Sequence, residues 1–247
     1  MHSALHYDDR RQKDCHGRGS VSVLEKIAVD GAVWSLRPDF AALLMTAEGL
    51  SNGPSDPVSA GWLHTAADGA ADAAAHPHVT AWQEAYRGFG AKPKRTRPSV
   101  DALLRRVESL PAINRVVDAY NAVSVEYVLP VGGEDLDGYR GAARLVRAGG
   151  DEAFETVAGG EPVVEHPEPG EVVWRDDEGV TCRRWNWRQC TRTRITESTK
   201  NALFIFERLE PYALGTLRAA ADDLATRLRV IAPDVQIESR LVGPLGT

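Results

Sequence analysis

Cysteine and methionine are scarce in this chain of 247 residues, with three of the first and two of the second, and it has no long uninterrupted apolar run. Each shortage excludes something. Cys15, Cys182 and Cys190 make an odd set without metal-ligand spacing, so a disulfide framework is excluded and the expectation is free thiols in a reducing compartment. No stretch approaches the roughly 20 apolar residues that a spanning helix needs. The first residues lack the charged-then-apolar pattern of a secretory signal, so the expected location is the cytoplasm, away from any membrane. Cation excess is missing too. A net charge of −6 speaks against sequence-independent binding to long nucleic acid, which depends on summed positive charge. Gly132-Gly133-Glu134-Asp135 reads as a tight turn whose backbone lets a ligand come close, yet no phosphate-loop pattern surrounds it. His76 and His78 flank Pro77 with no third ligand placed by sequence, which favours a solvated loop pair over a metal site. No metal and no cofactor are expected.

An apolar content of 43% is enough for one domain with a sizeable core. Residues 1–20 are polar and aperiodic, and are expected to form a flexible leader before a single domain over 21–247. Ala41 to Leu50 reads as an apolar strand, and Ser59 to Ala75 and Val79 to Phe89 as amphipathic helices. Ser99 is a candidate N-cap for a helix carrying Val100, Leu103, Leu104, Val107 and Leu110, and Asn114 opens another over 116–124. Short strands at 142–146 and 163–164, a hairpin at 172–195 and the run Ala202-Leu203-Phe204-Ile205-Phe206 predict a mostly antiparallel sheet system. Leu214 to Ile231 is a strongly amphipathic helix, followed by an alternating strand from Val235. The fold class is α+β.

The densest chemistry lies in Thr181 to Thr199, T-C-R-R-W-N-W-R-Q-C-T-R-T-R-I-T-E-S-T. A hairpin with Gly179 at positive φ predicts a strand from Val180 onward. Such a strand puts Arg183, Trp185, Trp187, Gln189 and Thr191 on one face, and Arg184, Asn186, Arg188, Cys190 and Arg192 on the other. The tryptophans read as core. A row of arginines has two readings, pairing with carboxylates of neighbouring strands or binding an anion. A second basic cluster, Lys92-Pro93-Lys94-Arg95-Thr96-Arg97, precedes the Ser99 helix and reads either as a solvated loop or as an anion site.

Three segments together carry a family resemblance. Ile113-Asn114-Arg115-Val116-Val117-Asp118-Ala119-Tyr120-Asn121, then Pro130 through Asp135-Leu136-Asp137, then Thr196-Glu197-Ser198-Thr199 with Leu203 to Glu207, resemble the B3/B4 editing domain of the bacterial phenylalanyl-tRNA synthetase β subunit. Arg184-Trp185-Asn186-Trp187-Arg188-Gln189 resembles a motif of free-standing relatives, and the likeness runs from about 98 to 210. It implies a layered β/β/α fold and a metal-independent, trans-acting deacylase for a misacylated tRNA, with the aminoacylated 3′ end and the amino acid as ligands. The roles it implies are catalytic for Asn186, Gln189 and Thr191, and substrate-binding for Asn121, Gly132, Gly133, Asp135, Thr196 and Glu207. Arg184, Arg188, Arg192, Lys94 and Arg95 are the expected tRNA contacts. The chain departs from the synthetase in having Gly132 for a histidine, Glu134 for an aromatic residue, and Gln189-Cys190-Thr191-Arg192 for a Gly-Gly turn. Two other readings are a non-catalytic module for a tRNA end or amino acid, and a transferase using aminoacyl-tRNA as acyl donor.

Overall fold

The computed structural model describes residues 22–70 and 75–243; the expected leader over 1–20 and Cys15 lie outside the described residues. In chain order the elements are α1 (Val23–Lys26), β1 (Ala28–Val29), α2 (Gly31–Leu36), β2 (Ala41–Glu48), α3 (Pro57–Asp68), α4 (Pro77–Gly88), α5 (Ser99–Leu104), α6 (Arg115–Glu126) and β3 (Val131–Asp135). The second half holds β4 (Arg144–Arg147), β5 (Phe154–Ala158), β6 (Glu161–Glu165), β7 (Val172–Arg175), β8 (Val180–Arg183), β9 (Arg188–Gln189), β10 (Asn201–Arg208), α7 (Leu214–Ile231) and β11 (Gln236–Val242). A four-stranded antiparallel sheet runs β11-β2-β10-β3. A five-stranded sheet runs β1-β4-β7-β8-β9, parallel only between β1 and β4, and β5 and β6 form a separate ribbon. Among the described residues no helix is long and apolar enough to cross a membrane.

Residue alternation explains the layers. On β10, Leu203 and Ile205 pack with Leu145, Trp174 and Cys182 of the five-stranded sheet. Phe204 and Phe206 pack on the opposite side with Val116 and Val123 of α6 and Leu217, Leu224 and Leu228 of α7. A strand covered on both faces needs an unbroken apolar run, which is why 202–206 reads as one. The result is the expected β/β/α sandwich of one compact α+β domain. Helix α6 begins where Asn114 accepts from Val117 N at 3.0 Å. The buried Asp118 then accepts from Ile113 N and Ser59 Oγ, each at 2.8 Å, tying α6 to α3. The helix expected from Ser59 begins earlier, at Pro57, because Asp56 is its N-cap and forms a capping box with Ser59 at the third helical position.

Several expectations are corrected. Ser99 is the first residue of α5 rather than its cap, and α5 ends at Leu104, well before Leu110. His78 is not a solvated loop residue. It is fully buried, with Nδ1 against Val128 O and Nε2 accepting from Trp82 Nε1 and Leu209 N, and burial lowers its pKa to about 4, keeping the ring neutral. Residues 131–135 form a strand and not a turn. Gly133 is required there by packing: an added Cβ would lie 2.8 Å from both Ile195 Cδ1 and Tyr120 Cε1. At Gly132 the nearest atom to such a Cβ would be Gln189 Nε2, at 3.8 Å. Gly133→Ala is therefore expected to destabilise the protein by about 1–3 kcal/mol through overpacking, whereas Gly132→Ala leaves the thermal midpoint close to wild type. Equal midpoints for the two variants would show that the α6 face is not tightly packed.

The largest correction concerns 183–189. Gly179 does not adopt positive φ; an added Cβ there would meet Ala153 O at 2.4 Å. The second strand stops at Arg183, because Arg184 and Trp185 take φ of 46° and 69° and reverse the chain into β9, which pairs back onto β8. The two-face alternation expected for a continuous strand is therefore absent. The turn is held by Glu171, whose buried carboxylate accepts from Arg183 Nε and Nη2 and from Arg184 N at 2.9–3.0 Å. An Arg-Trp pair carries none of the Gly or Asn signal of a left-handed turn, so sequence periodicity runs straight through it.

Candidate functional site

The hairpin turn, the start of α5, the face of α6 and the inward faces of β3 and β10 enclose a cavity of about 280 Å³. Antiparallel register places it. Gly132 lies opposite Ile205 and Glu134 opposite Leu203, so Gly132, Glu134, Ile205 and Glu207 share the sheet face that looks toward Trp174, Cys182 and Gln189. The walls are largely apolar, with Leu103, Ile113, Val117, Tyr120 and the rings of Trp174, Trp185 and Trp187.

Two carboxyls sit in this cavity. Glu207 is 2% exposed, with Oε1 accepting from Trp174 Nε1 at 2.9 Å and Oε2 from Asn186 Nδ2 at 2.8 Å. Burial raises its pKa to about 8 against the pull of these donors, with the charge of Glu134 adding to the rise. Glu134 is 1% exposed and accepts a hydrogen bond from Tyr139 Oη. Burial raises its pKa to about 7, opposed by hydroxyls of Tyr139, Thr181 and Thr193. Near neutrality Glu207 is mostly protonated, so it can donate a hydrogen bond into the cavity as well as accept one. Burial also pushes the Cys182 thiol up, which removes it as a ready nucleophile.

Asn186 is the hub of the site. Its Oδ1 accepts from Tyr86 Oη at 2.9 Å and from Ser99 N at 3.3 Å while its Nδ2 holds Glu207. One amide thus joins α4, α5, the hairpin turn and β10. Gln189 bridges the two sheets, its Nε2 donating to Gly133 O at 2.6 Å. Asn121 lines the cavity.

The structure thus brings Asn121, Gly132, Asn186, Arg188, Gln189 and Glu207 together around one cavity. It places others elsewhere. Gly133 turns toward α6. Asp135 accepts from Thr199 Oγ1 and caps the turn at Leu136, and Thr196 closes the 196–199 turn. Thr191 donates its backbone N–H to Glu155 O and does not line the cavity. Arg192 is held by both oxygens of Asp176 at 2.7 and 3.0 Å and by Gly138 O at 2.7 Å, which matches the carboxylate-pairing reading. Arg188 reaches Val157 O while lining the cavity. Arg184 stacks over Trp187, 4.3 Å from the ring centroid, and lines a second cavity with Arg95; Lys94 is exposed on the same loop. Sequence reasoning missed Glu134. Its signal was alternation, since a strand over 131–135 puts Gly132 and Glu134 on one face. Among the described residues no group of three or more His, Cys, Asp or Glu is placed to hold a metal ion.

The B3/4 domain family model matches residues 81–223, which includes every wall of the cavity. No curated protein matches the chain. A solved structure with a similar course is an N-terminal fragment of the phenylalanyl-tRNA synthetase beta-subunit from Pyrococcus horikoshii, 14% identical, with a TM-score of 0.46. The alignment covers 88% of this chain and 54% of that one, so the chain spans about half the length of the fragment.

Proposed function

This chain belongs to the B3/4 domain family, and from that premise we propose that it is a trans-acting deacylase that hydrolyses the ester of a misacylated tRNA. The observation that carries the reading is the cavity of about 280 Å³ with Glu207 buried in it between Trp174 and Asn186. The volume lies at the small end of ligand sites and suits one amino-acid side chain. Aromatic walls with a protonatable carboxyl suit a side chain that is flat and carries a hydroxyl. The resemblance of the segments over 113–121, 130–137 and 196–207 to a synthetase editing domain supports an aminoacylated tRNA as the source of that amino acid.

An aminoacyl ester is already activated, so hydrolysis needs a held water and a stabilised oxyanion more than a covalent nucleophile. Water adds to the ester carbonyl carbon, the bond from that carbon to the ribose oxygen breaks, and the water's proton passes to that oxygen by way of the neighbouring ribose hydroxyl. Gln189 and Asn121 are the groups assigned to the water. Gln189 commits one N–H to Gly133 O, which fixes the amide and leaves its carbonyl oxygen to accept. Asn186 positions Glu207. Arg188, at the cavity wall, is the group assigned to the terminal ribose and its phosphate.

A second reading, a binding module without turnover, is favoured by one observation: Asn186 and Gln189 already have protein partners. Turnover of a panel of correctly and incorrectly charged tRNAs, with a chelator present, separates the two. Selective release of one amino acid is expected, and binding without release would establish the module. Gln189→Ala is expected to lower kcat for the favoured substrate about a hundredfold by freeing the water, and Asn186→Ala to lose a similar factor together with some stability. Wild-type rates in both would remove this hairpin from the mechanism.

A further inference from the structure

On the other side of Trp187 lies a second cavity, of about 670 Å³, between the loop over 89–96 and the hairpin turn. Trp187 lines both cavities and is the wall between them. Lys92, Arg95 and Arg184 line the larger one, with Phe89 beside them. Lys92 and Arg95 form no ion pair among the described residues. Glu171 and Glu168 also reach this cavity. Glu171 is already committed to Arg183 and to the Arg184 backbone, although Arg184 Nε lies 3.8 Å from it. Glu168 is the remaining carboxylate opposing three cations. In a chain of net charge −6 this is a local positive basin. Burial, and then the neighbouring Arg183, hold the Arg184 guanidinium below its usual pKa against the pull of Glu171, so Arg184 is a cation that an added anion would relieve.

We propose that this cavity is a nucleotide subsite for a single-stranded RNA end, in which a base stacks on the Arg184 guanidinium backed by Trp187 and the flanking phosphates lie against Lys92 and Arg95. Guanidinium planes and aromatic rings are the surfaces on which unstacked RNA bases are held, and such stacking tolerates any base. A volume more than twice that of the first cavity fits a nucleotide where the first fits a side chain. The inference rests on the preceding reading in taking the neighbouring cavity as the place of the terminal aminoacyl group. It also adds a division of labour: the amino acid and the terminal ribose lie on one side of Trp187, and an unpaired base with its flanking phosphates on the other.

The probe is an uncharged, 5′-labelled single-stranded tetraribonucleotide, titrated by fluorescence anisotropy at several salt concentrations. It has no ester, so its binding is independent of hydrolysis. Wild type is expected to bind, with affinity falling as salt rises. The double variant Lys92→Glu, Arg95→Glu is expected to raise Kd at least tenfold and to reduce the salt slope by about 1.4, which is about 0.7 for each single-strand phosphate that the protein no longer neutralises. Arg184→Lys keeps the charge and loses the plane, so it is expected to raise Kd roughly fivefold with the slope preserved. Arg229→Glu, on the exposed end of α7, sets the background for charge reversal elsewhere. Wild-type binding by the double variant, or weakening with no change of slope, overturns the subsite. Turnover of aminoacyl-tRNA with a KM indifferent to Lys92→Glu, Arg95→Glu overturns it too, while leaving the hydrolase standing. Oligonucleotide binding as described with no turnover of any charged tRNA sinks the hydrolase and keeps the subsite.

Discussion

Replacing Glu207 with glutamine is expected to lower kcat/KM for the favoured aminoacyl-tRNA about a hundredfold, and replacing it with alanine about a thousandfold. The two differ for a reason visible in the hydrogen bonds. Both Glu207 oxygens accept, one from Trp174 Nε1 and one from Asn186 Nδ2. A neutral carboxyl accepts through both oxygens and still donates its proton to a ligand. A glutamine amide accepts through one atom only, so its NH₂ group must face one of the two donors. Alanine leaves both donors buried without partners and opens a void beneath the cavity. Selectivity distinguishes a recognition role from general damage. The loss should be large for an amino acid with a side-chain hydroxyl and small for its unhydroxylated analogue, with thermal unfolding of the glutamine variant as the folding control. Unchanged selectivity across the panel in both variants would remove Glu207 from recognition.

The second large effect is on stability as pH rises. Glu207 titrates near 8 and Glu134 near 7 in the folded protein, against 4.5 for an ordinary glutamate. Both folded-state values are raised, so the unfolded chain releases these protons first. The stabilisation is complete below about pH 4.5 and is lost as pH climbs through the folded values. His78 works the other way, with a folded value near 4 against 6.5, so its stabilisation grows between those two and is constant above. The window from pH 6.5 to 8.5 therefore excludes His78 and is dominated by the two carboxyls. At about 1.4 kcal/mol per unit, Glu207 contributes roughly 2 kcal/mol of decline across it and Glu134 somewhat under 1. Denaturant unfolding at closely spaced pH values should show a fall of about 3 kcal/mol in wild type. Glu207→Gln should remove most of it and Glu134→Gln the smaller part. A flat profile in wild type would show that these groups ionise as readily in the fold as in water.

Much of the frame was legible in sequence because it rests on periodicity. Asn114 with its valines marked α6, the leucines over 214–231 marked α7, and the doubly apolar run over 202–206 marked the central strand. The site was legible in composition more than in geometry. Asn186, Gln189 and Glu207 could be singled out as residue types, yet the side chain each one meets comes from another element. Tyr86 lies 100 residues from Asn186, and Gly133 lies 56 from Gln189. The arginines divide in the same way. Arg183 and Arg192 are absorbed by Glu171 and Asp176, and Arg184 is turned outward by a left-handed backbone that its sequence does not announce. Glu134 was hidden because the glycines before it read as a turn, when one of them is small to admit Tyr120 and Ile195.

The left-handed pair Arg184-Trp185 bears on how this protein would respond to artificial selection. Each non-glycine residue in that region carries a conformational cost of about 1 kcal/mol, which glycine at 184 would relieve. A library screened for heat resistance alone would accordingly collect glycine or asparagine at 184. It would shed the guanidinium stacked on Trp187, and with it the surface proposed to hold an RNA base. Screening for both traits at once would keep arginine there and gather its gains elsewhere, on surfaces far from the hairpin.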